Sequence, residues 1–283
     1  MTTVGILHPG SMGTAVAAQA RGNGSEVIWC PEGRSTATRG RASAAGFTVA
    51  RDLSELVRRC DVIVSLCPPA NAESVAVLVG AESFHGIYVE ANAVSPATMA
   101  IIKASALGKA AQLVDGSVVG SPPSASKTAR LYLSGPDEAV GTVAALFSGT
   151  AVDPRKLDGG IGKASALKLA YSSYQKVSRV LAAVAHGVAR DWDVQDELLD
   201  IAQGRSTSYL AEPAYIPKVA ARSWRWGPEL REAASTISEL GLPDDLVEAA
   251  ASIMERWARA KDRPLEISEA LDLLRAVDES SAP

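Results

Sequence analysis

Short runs of β-branched and aliphatic residues recur through the first half of the chain, separated by stretches with helical spacing. That alternation predicts a mostly parallel, doubly wound sheet covered by helices. The runs fall at Thr3–Leu7, Glu26–Cys30, Phe47–Val49, Val62–Leu66, Ile87–Glu90, Gln112–Asp115, Ala129–Ser134 and Ala151–Asp153. Local signals mark the ends of the intervening helices. Gly22-Asn23-Gly24 stops the first, Thr14–Arg21, because glycine and asparagine tolerate the left-handed cap conformation. Ser95-Pro96 opens another, since serine caps free N–H groups and proline fits a first turn. Past Gly159-Gly160-Ile161-Gly162 the pattern changes to a helix of about 28 residues, roughly 40 Å at 1.5 Å per residue. The chain therefore reads as an N-terminal Rossmann-type α/β domain, residues 1–158, followed by a long interdomain helix and an all-α C-terminal domain, residues 159–283. A frayed tail is expected from Asp278.

Composition narrows the class. Apolar residues make up 47% of the 283 positions and charged residues 21%, enough to bury a sizeable core. A formal net charge of −4 gives no reason to expect nucleic acid or an anionic membrane as partner. Cys30, Cys60 and Cys67 have no metal-ligand spacing, and their apolar neighbours point to reduced thiols. A strand-like run at Thr3 leaves no room for a signal peptide, and Lys168, Lys176, Arg179 and His186 interrupt the most apolar segment. The expectation is a cytoplasmic protein. Its long helix is too apolar for one small domain to cover, which predicts a homodimer through the helical domain.

The first strand is followed by His8-Pro9-Gly10-Ser11-Met12-Gly13. A dinucleotide fingerprint reads G-x-G-x-x-G here, so His8 replaces the first glycine. Gly10 would admit the pyrophosphate backbone, and Gly13 would allow close helix–strand packing, with the phosphates at the positive helix end. The second strand ends in Glu32-Gly33-Arg34-Ser35-Thr36, with Arg39 and Arg41 beyond. Glu32 is at the spacing of a ribose-diol ligand. Arg34, Ser35 and Thr36 form a phosphate-sized cluster, and arginine can hold phosphate through paired N–H bonds. NADP(H) is favoured over NAD(H).

These residues resemble the β-hydroxyacid dehydrogenases, relatives of 6-phosphogluconate dehydrogenase. The resemblance runs in order through Val4-Gly5-Ile6-Leu7 with Gly10-Ser11-Met12-Gly13, then Asp61 to Pro68 ending in Leu66-Cys67-Pro68, then Glu90-Ala91-Asn92-Ala93-Val94-Ser95-Pro96. It continues through Val114 to Ser121, where the family carries its substrate-binding D-A-P-V-S-G-G, and through Gly159 to Lys168, the glycine-rich approach to a catalytic lysine. The segments Arg222 to Trp226 and Gly241-Leu242-Pro243 are similar to an uncharacterised C-terminal domain of one branch. The resemblance implies a Rossmann fold, a nicotinamide cofactor, and Lys168 as general acid/base in hydride chemistry on a hydroxyl/carbonyl pair. With the residues already read, the expected cofactor site is His8, Gly10, Ser11, Met12, Gly13, Arg34, Ser35, Thr36, Leu66, Cys67, Pro68 and Asn92. It also departs from the family. Val119 stands for a serine, Ser121 for a glycine, Ser172 for an asparagine, and Pro228-Glu229-Leu230 where a lysine motif would lie. Several groups that would hold a small carboxylate are changed, so a small hydroxy acid substrate does not follow.

A lysine suits proton transfer in both directions if desolvation lowers its pKa towards neutrality, and Leu167 and Leu169 flank Lys168. Lys163 and Lys176 read as solvated. Asn92 either fixes the nicotinamide carboxamide or caps the following turn. Ser121, Tyr171 and Ser172 are substrate contacts or plain packing; Arg222 and Arg225 are replacement anion anchors or a solvated helix face. His8 is a phosphate-side donor or a strand-end residue satisfied locally. Trp224 and Trp226 belong to the second domain's core or a cleft rim. Two further readings stay open: an imine reductase, kept alive by Tyr171, and a non-catalytic NADP(H) sensor.

Overall fold

The computed structural model describes residues 1–106, 111–204, 209, 212–261 and 263–275, so the expected tail from Asp278 lies outside the described residues. The chain divides into two compact units, Met1–Ser173 and Tyr174–Pro283. The division falls inside the long helix.

All eight apolar runs of the first unit are strands: β1 Thr3–Leu7, β2 Glu26–Trp29, β3 Thr48–Val49, β4 Val62–Ser65, β5 Ile87–Glu90, β6 Gln112–Val119, β7 Ala129–Ser134 and β8 Val152–Lys156. They form one sheet in the order β3-β2-β1-β4-β5-β6-β7-β8. Pairing is parallel from β3 through β6, antiparallel between β6 and β7, and parallel again to β8. The strands read as near-continuous apolar runs because both sheet faces are covered. Ile6, Val27, Val64, Val89 and Val114 pack into one core cluster, and their neighbours Leu7, Ile28, Ile63, Tyr88 and Leu113 into the other. Strand β6 runs four residues beyond the expected Asp115, because Gly116–Val119 pair with Leu133–Arg130 of β7. The segment that resembles the family's substrate-binding block, Val114 to Ser121, is thus largely strand.

Six helices complete the layers: α1 Ser11–Gly22, α2 Thr36–Ala44, α3 Leu53–Arg59, α4 Ala72–Ala81, α5 Pro96–Ile101 and α6 Asp137–Ala145. Helix α1 begins three residues earlier than the sequence suggests, with Gly10 as N-cap and no side chain capping its first turn. Its C-terminal reversal uses Gly24 at φ +91°, whereas Asn23 stays at φ −90°. Ser95 caps α5 as expected, its Oγ accepting from the Thr98 amide at 3.0 Å. Gly159, Gly160 and Gly162 take φ values of +99°, +81° and +99°, which L-residues rarely adopt, and the chain then enters the 29-residue α7, Lys163–Asp191.

The second unit holds the later part of α7, then α8 Gln195–Gln203, α9 Ile216–Glu239, α10 Asp245–Glu255 and α11 Ile267–Leu273. One of its clusters gathers Ala234, Ile237 and Val247; another gathers Ala220, Trp257, Ala260 and Ala270. The core tryptophan is Trp257, whose indole N–H donates to the Ala270 carbonyl at 2.8 Å. Trp224, by contrast, is half exposed beneath the Lys261 ammonium, 4.2 Å from its ring centre. Among the described residues no helix is long and apolar enough to cross a membrane.

Candidate active site

The strand order reverses between β1 and β4, and the carboxyl ends of these parallel strands frame a crevice, the place where open α/β sheets bind ligands. A cavity of about 400 Å³ lies there, lined by His8, Gly10, Ser11, Met12 and Gly13 from the β1–α1 turn, by Gly33, Arg34, Ser35 and Thr38, and by Leu66, Cys67 and Pro68 after β4. The glycines differ in task. A Cβ on Gly13 would come within 3.0 Å of the His8 carbonyl oxygen, so only glycine lets α1 pack this close to β1. A Cβ on Gly10 would meet nothing nearer than 3.9 Å, which leaves that backbone open to a ligand.

The β2–α2 loop turns through Gly33 at φ +66° and delivers Arg34 and Ser35 to the cavity. Ser35 caps α2, its Oγ accepting from the Thr38 amide at 3.2 Å and lying 3.1 Å from Thr38 Oγ1. That capping bond explains a difference from expectation. The third residue of the helix, Thr38, folds back towards the cap and lines the cavity, whereas Thr36 is exposed on the first turn and does not. Arg39 and Arg41 are exposed yet engaged, donating to the Arg34 carbonyl at 3.1 Å and to Thr38 Oγ1 at 3.0 Å. Glu32 is exposed and does not line the cavity. Two buried side-chain nitrogens on the cavity wall, His8 Nδ1 and Arg34 Nε, lack hydrogen-bond partners. Open backbone at Gly10, uncapped amides in the first turn of α1 and the unpaired Arg34 Nε–H fit an anionic dinucleotide.

Asn92 stands behind this wall rather than on it. Its amide N–H group donates to Cys67 Sγ at 3.3 Å, to Ser65 Oγ at 3.1 Å and, in a very close contact, to Glu90 Oε1, while its own Oδ1 is buried without a partner. Ser95, not Asn92, caps α5. Burial in the sheet pushes the Glu90 carboxyl up to about 7, against the pull of the Asn92 backbone and side-chain N–H groups. Burial likewise raises the Cys67 thiol.

Lys168 sits on the second turn of α7, half-buried, and its Nζ donates to the Val118 carbonyl of β6 at 2.8 Å. The flanking leucines do not bury it: Leu167 and Leu169 are 38% and 37% exposed. Residues adjacent in a helix point about 100° apart, and the neighbours that share a face are three and four positions away. Those are Ala164, Ser165 and Ser172, all buried, and Tyr171, which is 36% exposed. Ser121 is exposed just after β6, where Gly120 bends the chain at φ +129°. None of Lys168, Ser121, Tyr171 or Ser172 lines the 400 Å³ cavity.

One residue that sequence reasoning left without a role fixes the start of α7. The buried Asp115 of β6 accepts at Oδ2 from the Gly162 amide (2.9 Å), the Ser165 amide (3.0 Å) and Ser134 Oγ (3.1 Å), and at Oδ1 from Ser165 Oγ (2.7 Å). Ser134 Oγ also accepts from the Ala164 amide at 3.2 Å. A carboxylate at a helix N-terminus satisfies orphan donors and complements the helix dipole. It holds Ser165 three positions before Lys168, so it sets the rotation of the helix that carries the lysine. A single acidic residue closing an apolar strand run was the available signal. Elsewhere, His85 is exposed in a loop, and Arg222 donates to the Tyr215 hydroxyl at 2.7 Å. Lys163 is exposed; the side chain of Lys176 lies outside the described residues.

With this geometry in place, comparison with known proteins is informative. Residues 1–115 match the family model described as D-isomer specific 2-hydroxyacid dehydrogenase, NAD binding domain. Residues 189–257 match a domain of unknown function, DUF1932. An uncharacterised 28.5 kDa protein from Methanothermus fervidus is 30% identical over 177 residues, which span 62% of this chain and 66% of that relative. The Mycobacterium tuberculosis 3-hydroxyisobutyrate dehydrogenase, solved with L-serine, is 21% identical with a TM-score of 0.63, covering 98% of this chain and 100% of that one. A reductive aminase from Aspergillus terreus, solved with NADPH and ethyl levulinate, is 18% identical with a TM-score of 0.71, covering 96% and 99%. The first unit is a dinucleotide-binding Rossmann domain with a mixed but mainly parallel sheet, joined to a helical C-terminal unit. The first 115 residues are thus similar to the NAD-binding domain of hydroxyacid dehydrogenases, and the segment that resembles an uncharacterised C-terminal domain lies within the stretch that matches DUF1932.

Proposed function

We propose that this protein is an NADP(H)-dependent oxidoreductase that transfers hydride between the nicotinamide and a small-molecule hydroxyl/carbonyl pair, with Lys168 as general acid/base. The observation that carries the reading is the make-up of the crevice wall at the end of β2. Arg34, Ser35 and Thr38 line it and Glu32 does not, a donor set suited to a 2′-phosphate rather than to a ribose diol.

When bound, the dinucleotide supplies or accepts the hydride. The chain's own residues do the rest. Gly10, Ser11 and the first-turn amides of α1 would hold the pyrophosphate, and Arg34, Ser35 and Thr38 the adenosine end. Asn92, buried behind the wall and bonded to Ser65, Cys67 and Glu90, would act through Cys67 as a positioning residue for the wall. Lys168 Nζ, held at 2.8 Å on the Val118 carbonyl, gives a proton to the substrate oxygen in reduction and takes it back in oxidation. Asp115 acts through the helix as a positioning residue. Ser121, Tyr171 and Ser172 surround the substrate. With Val119, Ser121 and Ser172 in place of the family's carboxylate-binding groups, a small hydroxy acid is not the expected substrate.

The test is binding. NADPH should bind more tightly than NADH by isothermal titration, and Arg34→Ala should narrow the gap by about 1.5–3 kcal/mol through loss of one charge-assisted contact. Equal affinities in the unmutated protein would refute the cofactor assignment. Tyr171, one turn from Lys168 and a third exposed, favours a second reading as an imine reductase; turnover of cyclic imines but not of carbonyls would select it. Binding without turnover on either panel would select an NADP(H) sensor. We place the protein in the cytoplasm as a homodimer formed through its helical unit.

A further inference from the structure

The backbone at His8 is left-handed, φ +64°, at the position where the dinucleotide fingerprint carries its first glycine. Such a conformation costs an L-residue about 1–2 kcal/mol, whereas glycine adopts it freely. Strain of this kind persists where the side chain has a task. The His8 ring turns into the same 400 Å³ cavity as Arg34. His8 Nδ1 and Arg34 Nε are both buried and both lack a hydrogen-bond partner. A buried donor or acceptor left unsatisfied is destabilising by about 1–3 kcal/mol, so two on one wall mark a place completed by a ligand. Arg34 Nε–H can only donate, so the ligand that completes it is an acceptor. Among the described residues no acidic side chain lines the cavity, and the titratable groups that do are His8, Arg34 and Cys67. Burial and the Arg34 charge push His8 down to about 4, against the pull of the Leu7 carbonyl. The two side chains therefore line one cavity, close enough for the Arg34 charge to act on His8, with no acidic side chain among the described lining residues.

We propose that His8 and Arg34 form a two-sided clamp on the 2′-phosphate of the adenosine, which makes His8 a cofactor-specificity residue. Arg34 supplies the fixed charge, and His8, neutral in the free protein, takes up a proton as the phosphate binds, so that Nδ1 becomes an N–H donor to it. Replacing the first glycine of the fingerprint by histidine is then a device for selecting NADP(H). This rests on the NADP(H) reading above and adds to it the residue opposite the arginine.

The experiment uses His8→Gly, which restores the glycine of the fingerprint and relieves the backbone, so the variant keeps its fold. NADPH, NADH, 2′,5′-ADP and 5′-AMP are titrated calorimetrically into the full-length protein, into His8→Gly, into Arg34→Ala and into the double variant. His8→Gly should weaken NADPH and 2′,5′-ADP about tenfold or more and leave NADH and 5′-AMP unchanged. The double variant should lose less than the sum of the two single losses, because both groups hold one phosphate. If His8→Gly changes NADPH and NADH by the same factor, or leaves the NADPH preference intact, the clamp is wrong while the NADP(H) reading survives. Strictly additive losses also overturn it. If the unmutated protein shows no preference for NADPH and does not bind 2′,5′-ADP, the cofactor reading itself fails and the clamp with it.

Discussion

Replacing Asp115 tests whether the long helix is held by a buried carboxylate. Four donors converge on its two oxygens: the hydroxyls of Ser134 and Ser165 and the backbone amides of Gly162 and Ser165. In Asp115→Ala the hydroxyls can rotate towards other acceptors, but the two amides cannot. Each buried N–H left unpaired costs about 1–3 kcal/mol, giving roughly 2–6 kcal/mol for the pair. Relief from burying a charge offsets part of this, so we expect a net loss of about 2–4 kcal/mol. Asp115→Asn keeps one carbonyl oxygen where Oδ2 accepts three of the bonds; it loses charge assistance and dipole complementarity, and the Ser165 hydroxyl must turn from donor to acceptor, for about 1 kcal/mol. The assay is denaturant unfolding of the full chain with hydrogen exchange read on residues 159–172. Alanine should speed exchange at the Gly162 and Ser165 amides far more than asparagine does. A loss under about 0.5 kcal/mol with unchanged exchange at those amides would show that another contact anchors the helix.

Three further expectations follow from the site. Lys168→Ala should cut turnover by about 10²–10⁴-fold with NADPH affinity nearly unchanged, and Lys168→Arg should fail almost as badly, because arginine does not release a proton; full activity in both removes the lysine from the mechanism. Glu90, with its carboxyl raised from 4.5 to about 7, binds a proton in the folded state that the unfolded chain has already lost. Its contribution to stability is therefore present below pH ~4.5 and disappears as pH rises through ~7, by about 3 kcal/mol. Glu90→Gln should flatten that part of the stability-versus-pH curve, and identical curves for the two proteins would show that Glu90 titrates normally. Light scattering should give a dimer at micromolar concentration, as the exposed Leu167, Val177 and Leu181 of α7 suggest, whereas a monomer would leave those faces to be explained otherwise.

Much of the fold was legible along the chain because its causes are local. A strand covered on both faces must be apolar at successive positions, and β1, β5 and β7 fall on the runs expected, residue for residue. Helix starts and stops depend on neighbours a few positions away, so Ser95-Pro96 and the glycines at 159, 160 and 162 announced α5 and α7. The crevice residues at 8, 10–13, 34, 35 and 66–68 were legible for a related reason: parallel strands with right-handed crossovers bring their carboxyl ends together. What stayed hidden depends on pairings between distant residues. Strand β6 is long because β7 offers an antiparallel edge to Gly116–Val119. Lys168 is half-buried against a carbonyl 50 positions earlier, not by its flanking leucines. Asp115 acts on amides 47 and 50 residues away. The sequence by itself determined the elements, their order and the chemistry available at their ends. Only the tertiary structure decided that His8 and Arg34 would line one cavity and that Asp115 would hold the start of α7, since hydrogen bonds and charges act over a few ångströms of space and carry no mark of separation along the chain.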